Sequence, residues 1–321
     1  MVRSTSCKTL HIEYTDGCNS RCRMCDYWKI QTPKTIDNAL LYKNIVMLIP
    51  QGLKTVYFSG GECLVVADQL LPLVEKLHKE YPSLKLKLNT NGILLKKYAE
   101  QIGNIFSTVI ISLDTVDPKI YRQIRGIDGL KTIMQGIQLL HRQSPSVAIN
   151  LRCLVLPENI DDLKAIIDFA IENELTKISF IPEDTSSTTS FGRNDEFCHN
   201  SHISDADYKH LCCIVDEIKC EYSAQMGNLL SRNGADFDYI LKVYSGTEGI
   251  TLPCDKAKCS CVIGADLRVS PCFFVPGEQY LSSGKSVQDI LCSDAHQKVI
   301  TQIYSTENSP CAQCVCPKIL S

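Results

Sequence analysis

Along roughly the first 180 residues, short apolar runs alternate with longer stretches whose apolar positions recur at helical spacing. The runs Leu10–Tyr14, Thr55–Phe58, Leu84–Leu88, Thr108–Leu113, Ala148–Leu154 and Lys177–Ile181 read as strands, each rich in residues that suit a pleated surface. Between them, Leu40–Leu48, Ala67–Lys79, Leu94–Ile102, Gly129–Arg142 and Ile160–Asn173 read as helices. The alternation predicts an α/β fold, a parallel sheet with helical crossovers, in place of a sandwich or bundle. From Pro182 to about Asp205 the chain is polar and reads as a loop, a lid or a linker. A helix over Ile203–Met226 follows, and then the pattern changes: seven cysteines fall between Cys254 and Cys316, leaving out Cys292. These shifts divide the chain into a core over 1–205, a connecting helical segment over 206–249 and a small cysteine-rich domain over 250–321.

Composition narrows the function. At 321 residues and 44% hydrophobic, the chain can bury a large core without metal to hold it. Its 33 Lys+Arg against 36 Asp+Glu give a net charge of −3, and no basic run forms a phosphate-tracking surface, so nucleic acid is not an expected partner. No secretory signal opens the chain, and no stretch approaches the ~18 apolar residues of a membrane helix. The expected location is cytoplasmic, where thiols stay reduced, so its 18 cysteines point to metal binding or catalysis before disulfides.

Directly after the first strand stands Asp16-Gly17-Cys18-Asn19-Ser20-Arg21-Cys22-Arg23-Met24-Cys25, a C-x3-C-x2-C pattern. Three thiolates in so tight a loop can reach three irons of a 4Fe-4S cluster and leave the fourth without a protein ligand. Structural zinc is the competing reading, but it wants four ligands; no fourth Cys or His follows nearby, and His11 lies on the preceding strand.

In these residues the chain resembles the radical S-adenosylmethionine (radical SAM) superfamily, whose signature is this spacing after the first strand of a partial (β/α)6, TIM-like barrel. The resemblance implies that the open iron chelates the methionine part of S-adenosylmethionine and that reductive cleavage gives a 5′-deoxyadenosyl radical. Met24 stands where the family places an apolar residue against adenine. Phe58-Ser59-Gly60-Gly61-Glu62 resembles the family's Gly-Gly-Glu turn, in which Gly60 and Gly61 admit the methionine ammonium and Glu62 can add charge. Asn89-Thr90-Asn91-Gly92 and Ile111-Ser112-Leu113-Asp114 end the third and fourth strands, so Asn91, Ser112 and Asp114 would face the cofactor; read alone, a Ser or Asp there is a helix cap. Arg152, sharing a strand face with Asn150, would clamp the methionine carboxylate or make a structural salt bridge. Ile181, after Phe180, would meet adenine or belong to the core.

Cys254 and Cys272 are separated by seventeen residues, and Cys311-Ala312-Gln313-Cys314 follows far downstream. This resembles the Twitch form of the SPASM auxiliary domain, which implies a second iron-sulfur cluster on Cys254, Cys272, Cys311 and Cys314. Leu267 occupies the position of the family glycine, so the hairpin is expected to turn differently. Cys259, Cys261 and Cys316 leave open one cluster with spare thiols or two clusters sharing seven ligands; one is preferred, and a zinc-stabilised tail is the alternative. Trp28, just beyond the first loop, is expected to shield it from water, and most remaining cysteines, Cys7, Cys63 and Cys153 among them, read as small buried hydrophobes.

The resemblance implies an oxidoreductase-type enzyme that takes a hydrogen atom from its substrate, with the auxiliary cluster accepting a further electron and flavodoxin or ferredoxin as reductant. The cysteine loop begins at residue 18, leaving no room for a leader-peptide domain, which favours a small polar substrate such as a sugar or aminocyclitol precursor. Epimerisation by thiol hydrogen return, modification of a peptide or protein, and a non-catalytic electron carrier are the alternatives. The cyclase of molybdenum-cofactor synthesis shares the barrel motifs, but its Gly-Gly tail is absent from the terminal Pro317-Lys318-Ile319-Leu320-Ser321, and that identity is set aside.

Overall fold

The computed structural model describes residues 7–183, 203–230, 234–246, 254–281 and 284–304. The polar segment's residues 184–202, together with Cys198, Cys311, Cys314 and Cys316, lie outside the described residues. Strands β1 (Thr9–Thr15), β2 (Thr55–Gly60), β3 (Lys85–Thr90), β4 (Thr108–Ser112), β5 (Ala148–Val155) and β6 (Lys177–Pro182) pair in parallel, each with the next. The crossovers carry α1 (Asn38–Leu48), α2 (Ala67–Glu80), α3 (Leu95–Ile105), α4 (Pro118–Arg125), α5 (Leu130–Gln143) and α6 (Leu163–Glu172). This is the expected α/β architecture, and among the described residues these strands lie side by side in the order β6-β5-β4-β3-β2-β1.

Strand alternation divides the two faces. On β1, Leu10, Ile12 and Tyr14 are fully buried in the main apolar cluster with Leu41 and Ile45 of α1. Each such aliphatic side chain contributes about 1.5–3 kcal/mol relative to exposure. The opposite face carries His11 and Glu13 of β1, Tyr57 and Ser59 of β2, and Lys87 and Asn89 of β3, all partly buried. A TIM-type interior filled by branched apolar side chains would look different; this one is lined for polar contents.

Helix α4 has no counterpart in the hydrophobic periodicity, because only Tyr121 and Ile124 are buried along it. Its ends define it: Asp117 caps the Lys119 and Ile120 N–H groups, Pro118 opens the first turn, and Gly126 takes φ +68° as the left-handed cap. Helix α7 (Asp205–Glu221) follows 184–202, and α8 (Ala235–Tyr244) packs on β6, with the Phe180 and Phe237 rings 4.7 Å apart.

The C-terminal cysteine segment continues the barrel sheet. After a helical turn at Lys256–Cys259, β7 (Ser260–Ile263) pairs in parallel with β1, Thr9 opposite Ser260 and Ile12 opposite Ile263. It thereby covers the edge that β1 would otherwise expose. Strands β8 (Arg268–Ser270) and β9 (Gln279–Tyr280) extend it in antiparallel fashion, followed by α9 (Val287–Leu291) and α10 (Asp294–Ile303). Leu267, where a glycine was expected, adopts φ +71°, the left-handed region that glycine enters without strain. Gly264 N–H donates to Arg268 O at 2.9 Å across that turn. No helix among the described residues is long and apolar enough to cross a membrane.

Candidate active site

The loop that carries Cys18, Cys22 and Cys25 leaves the end of β1 and is fastened from three sides. At the end of β2, Gly61 N–H donates to Thr15 O at 2.7 Å and Glu62 N–H to Gly17 O at 2.8 Å. A Cβ on Gly60 would stand 2.2 Å from Thr15 O, and one on Gly61 2.2 Å from Gly17 O, so both glycines are required by close backbone approach to the loop. From β3, Asn91 Nδ2 donates to Asn19 Oδ1 at 2.8 Å. From the end of α4, Arg125 O and Ile124 O accept from Arg21 N–H and Arg23 N–H, and Arg125 Nη1 donates to Cys22 Sγ at 3.7 Å.

The loop's chemistry fits a thiolate-bound cluster. Ser20 Oγ and Tyr121 Oη are buried near the cysteines and have no protein hydrogen-bond partner, so two hydroxyls are left that a sulfide-bearing group could satisfy. Burial pushes the Cys18 thiol up to about 11 against the pull of Ser20 N–H, so the bare sulfur holds its proton at neutral pH until a metal displaces it. Among the described residues no three His, Cys, Asp or Glu side chains converge as ligands of a single ion.

Two of the expected cofactor contacts, Glu62 and Asp114, are engaged within the protein. Glu62, 1% exposed, accepts from Leu64 N–H at 3.0 Å, Thr90 Oγ1 at 2.8 Å and Asn91 N–H at 2.6 Å; burial holds its carboxyl above the ordinary value despite these donors. It ties β2 to β3 and so sets the Asn91 amide that reaches Asn19. Asp114, fully buried, pairs with Arg125 Nε at 2.5 Å and accepts from Leu154 N–H at 2.9 Å, so each of its oxygens has a protein partner. Its physical role is to neutralise and orient Arg125.

The other expected residues gather on the same side. Met24, 6% exposed, packs with Cys22, Ile124, Leu154 and Leu156, and Ile181 lies against this cluster, so two sequence-distant apolar side chains meet. Ser112 and Arg152 are register partners on β4 and β5. Trp28 is a correction: it is 39% exposed, with Lys29 Nζ 5.5 Å from its ring centroid, and does not bury the loop, because in the Tyr27–Lys29 turn it is Tyr27 that points inward, to Glu13.

Deeper on this face, His11 stacks on Tyr57 at 4.6 Å and meets the Phe273 edge at 5.1 Å. Burial, with the charges of Lys256, Arg152 and Lys87, lowers its pKa to about 3, and Nδ1 is buried without a partner. Nearer the loop, a cavity of about 350 Å³ opens between β1 and the β7–β8 turn, lined by Glu13, Asp16, Asp266, Arg268, Cys272 and Phe273 among others. Tyr27 Oη donates to Glu13 Oε1 at 2.8 Å, and burial raises the Glu13 carboxyl.

Of the C-terminal candidates, Cys254 and Cys259 are partly buried and Cys272 faces the cavity. Cys261 is fully buried on the helix-facing side of β7, its Sγ 3.5 Å from that of Cys7. Sequence reasoning missed Arg125, Asn19, Glu13 and Asp266. Only the Gly126 that ends α4 gave a signal for Arg125, and it was not used.

Comparison with known proteins agrees with this arrangement. The family described as the Radical SAM superfamily matches residues 12–170. A probable GTP 3',8-cyclase of Methanococcus aeolicus is 30% identical over 190 residues, 55% of this chain and 60% of that protein. The GTP 3',8-cyclase of Helicobacter pylori is 28% identical over 182 residues, 54% of each chain. The chain thus spans 54–60% of the length of these relatives. Streptococcus suis SuiB bound to S-adenosylmethionine superposes with a TM-score of 0.71 over 97% of this chain and 71% of its own, at 16% identity. Native anSMEcpe with bound AdoMet gives 0.67 over 92% and 84%, at 19% identity. At such identities the likeness is one of fold.

Proposed function

We propose, from the premise that this chain belongs to the radical SAM superfamily and is an enzyme using S-adenosylmethionine and a 4Fe-4S cluster, that it abstracts a hydrogen atom from a small polar substrate seated in the 350 Å³ cavity. When bound, cluster and S-adenosylmethionine together supply a 5′-deoxyadenosyl radical able to take hydrogen from an unactivated carbon. Cys18, Cys22 and Cys25 would hold the cluster; Gly60, Gly61 and Asn91 hold their loop; Ser112 and Arg152 would take the methionine end, and Met24 and Ile181 would flank adenine.

The observation that carries the substrate reading is the cavity's lining. It includes both Asp16, two residues before Cys18, and Cys272. A substrate there would stand between the radical-generating loop and an auxiliary cluster on Cys254, Cys272, Cys311 and Cys314, with Cys259, Cys261 and Cys316 as spare thiols. That placement favours oxidation, in which the second electron leaves through the auxiliary cluster. Three carboxylates, Glu13, Asp16 and Asp266, against the single guanidinium Arg268 favour a hydroxyl- or amine-bearing molecule over a polyanion. The volume is at the small end for such sites.

A second reading takes a purine nucleotide as substrate, since the relatives named above are GTP 3',8-cyclases. The charges of Lys87 and Lys256 near His11 would suit its phosphates. The test is anaerobic turnover of the loaded protein with flavodoxin or ferredoxin as reductant and deuterated candidates. Label reaching 5′-deoxyadenosine from an aminocyclitol or sugar supports the first reading, and label from GTP alone replaces it with the second. A loaded protein that forms no 5′-deoxyadenosine is an electron carrier, and both readings fall.

A further inference from the structure

Arg125 stands out among the buried charges because two of its donors point in different directions. Nε pairs with Asp114 at 2.5 Å, and Nη1 donates to Cys22 Sγ at 3.7 Å. Neutralising Asp114 would have required only the first contact. The second is built with care: Arg21 N–H and Arg23 N–H, the residues flanking Cys22, donate to Arg125 O at 3.0 Å and Ile124 O at 3.1 Å, so the ligand is held by main-chain bonds on both sides of itself against the end of α4. Gly126, at φ +68°, lets the helix stop there, and a Cβ on it would stand 2.2 Å from Arg21 O. Asp114 is fixed in turn by Leu154 N–H at 2.9 Å, and its own backbone carbonyl accepts from Asn159 Nδ2 at 2.6 Å. The guanidinium's side chain is 12% exposed and the Asp114 carboxylate wholly buried, so solvent screens neither charge well.

We infer that Arg125, oriented by Asp114, is a positioning residue for the Cys22 ligand and raises the reduction potential of the cluster that Cys22 holds. Hydrogen bonds and positive charge at ligand sulfurs stabilise the more negative, reduced state of an iron-sulfur centre. The guanidinium is suited to this because it stays protonated at any working pH and offers several donors from one rigid plane. The inference rests on the proposed cluster at Cys18, Cys22 and Cys25, but it concerns this chain's own choice of a cation at one of the three sulfurs.

The test compares anaerobically reconstituted wild type, Arg125→Lys and the double variant Asp114→Asn/Arg125→Gln, whose neutral amides avoid stranding a buried carboxylate. Iron and sulfide are counted, and the one-electron midpoint is followed by electron paramagnetic resonance. A double variant with full cluster content and a reduced-to-oxidised ratio about tenfold lower at a fixed potential, a shift of about 59 mV, is the expected result, with Arg125→Lys between the two. A double variant that folds but loses its cluster while Arg125→Lys keeps it supports the positioning role. Full cluster content with an unchanged midpoint overturns the inference and leaves the proposed function standing. A wild-type chain that takes up no iron overturns both.

Discussion

Asn91 donates from Nδ2 to Asn19 Oδ1 at 2.8 Å while its own N–H donates to Glu62 Oε2 at 2.6 Å, so one residue couples the β2 turn to the cysteine loop. Asn91→Ala keeps the backbone donor but deletes the link to the loop and the Oδ1 that accepts from Ile93 N–H at 3.0 Å. The expected cost is about 2 kcal/mol in stability, two ordinary side-chain hydrogen bonds. Iron loss to a chelator should be several-fold faster than in wild type, because Asn19 sits between Cys18 and Ser20. Equal chelation rates would show that the loop does not depend on this contact.

Glu62 should be more sensitive. Its two oxygens receive three donors in a buried site, and Glu62→Gln replaces one acceptor with an NH2 group facing N–H or O–H. A buried donor left unmatched costs about 1–3 kcal/mol, read as a lower urea midpoint with unchanged slope. Wild-type stability in Glu62→Gln would mean that the carboxyl is already protonated and donating in the fold.

Much of this arrangement was legible in the sequence. Strands such as Thr108–Ser112 fall within a residue or two of their expected bounds, because a continuous β-branched run between turn signals has few other ways to be buried. The cysteine spacing and the Gly60-Gly61 pair stand out in one dimension, but the pair was expected to admit a methionine ammonium, whereas its missing Cβ atoms make room for the backbone at Thr15 and Gly17. The duties of Glu62 and Asp114 were not, since a strand-end carboxylate looks alike whether it faces a cofactor or Arg125 across a crossover. Nor did local pattern reveal that β7 joins β1, a pairing of residues some 250 apart whose four-residue strand carries no alternation. Leu267 shows a further limit, because tertiary packing holds a leucine where propensity asks for glycine.

Gly61→Ala tests the close approach directly. The new Cβ would sit 2.2 Å from Gly17 O, an overlap that the two backbones can relieve only by parting. Overpacking of this kind costs about 1–3 kcal/mol or more, and the displacement falls on Gly17, the residue directly before Cys18. Iron uptake should be largely lost. Gly129→Ala is the control, since its nearest neighbours stand at 3.4 Å or beyond; it should reconstitute as wild type. Equal iron content in both variants would exclude a steric role for Gly61.

His11 makes the acid side of the stability curve predictable. Its folded pKa of about 3 lies below the ordinary 6.5, through burial first and then the charges of Lys256, Arg152 and Lys87; Tyr57 and Phe273 fill its remaining sides. The folded state therefore keeps the ring neutral while the unfolded chain binds a proton below pH 6.5. Stability from this group is complete above 6.5 and lost as pH falls towards 3, at up to about 1.4 kcal/mol per pH unit. His11→Phe keeps an aromatic ring for the stack and removes the imidazole nitrogens, of which Nδ1 is buried without a partner. At pH 7 it should match or exceed wild type. At pH 5 the wild type should have lost roughly 2 kcal/mol more than the variant, as an upper bound, because Glu13, Glu62 and every other titrating group is common to both and cancels. Parallel urea midpoints between pH 7 and 5 would show that His11 is protonated as readily in the fold as outside it, and that the three cations do not act on it as placed.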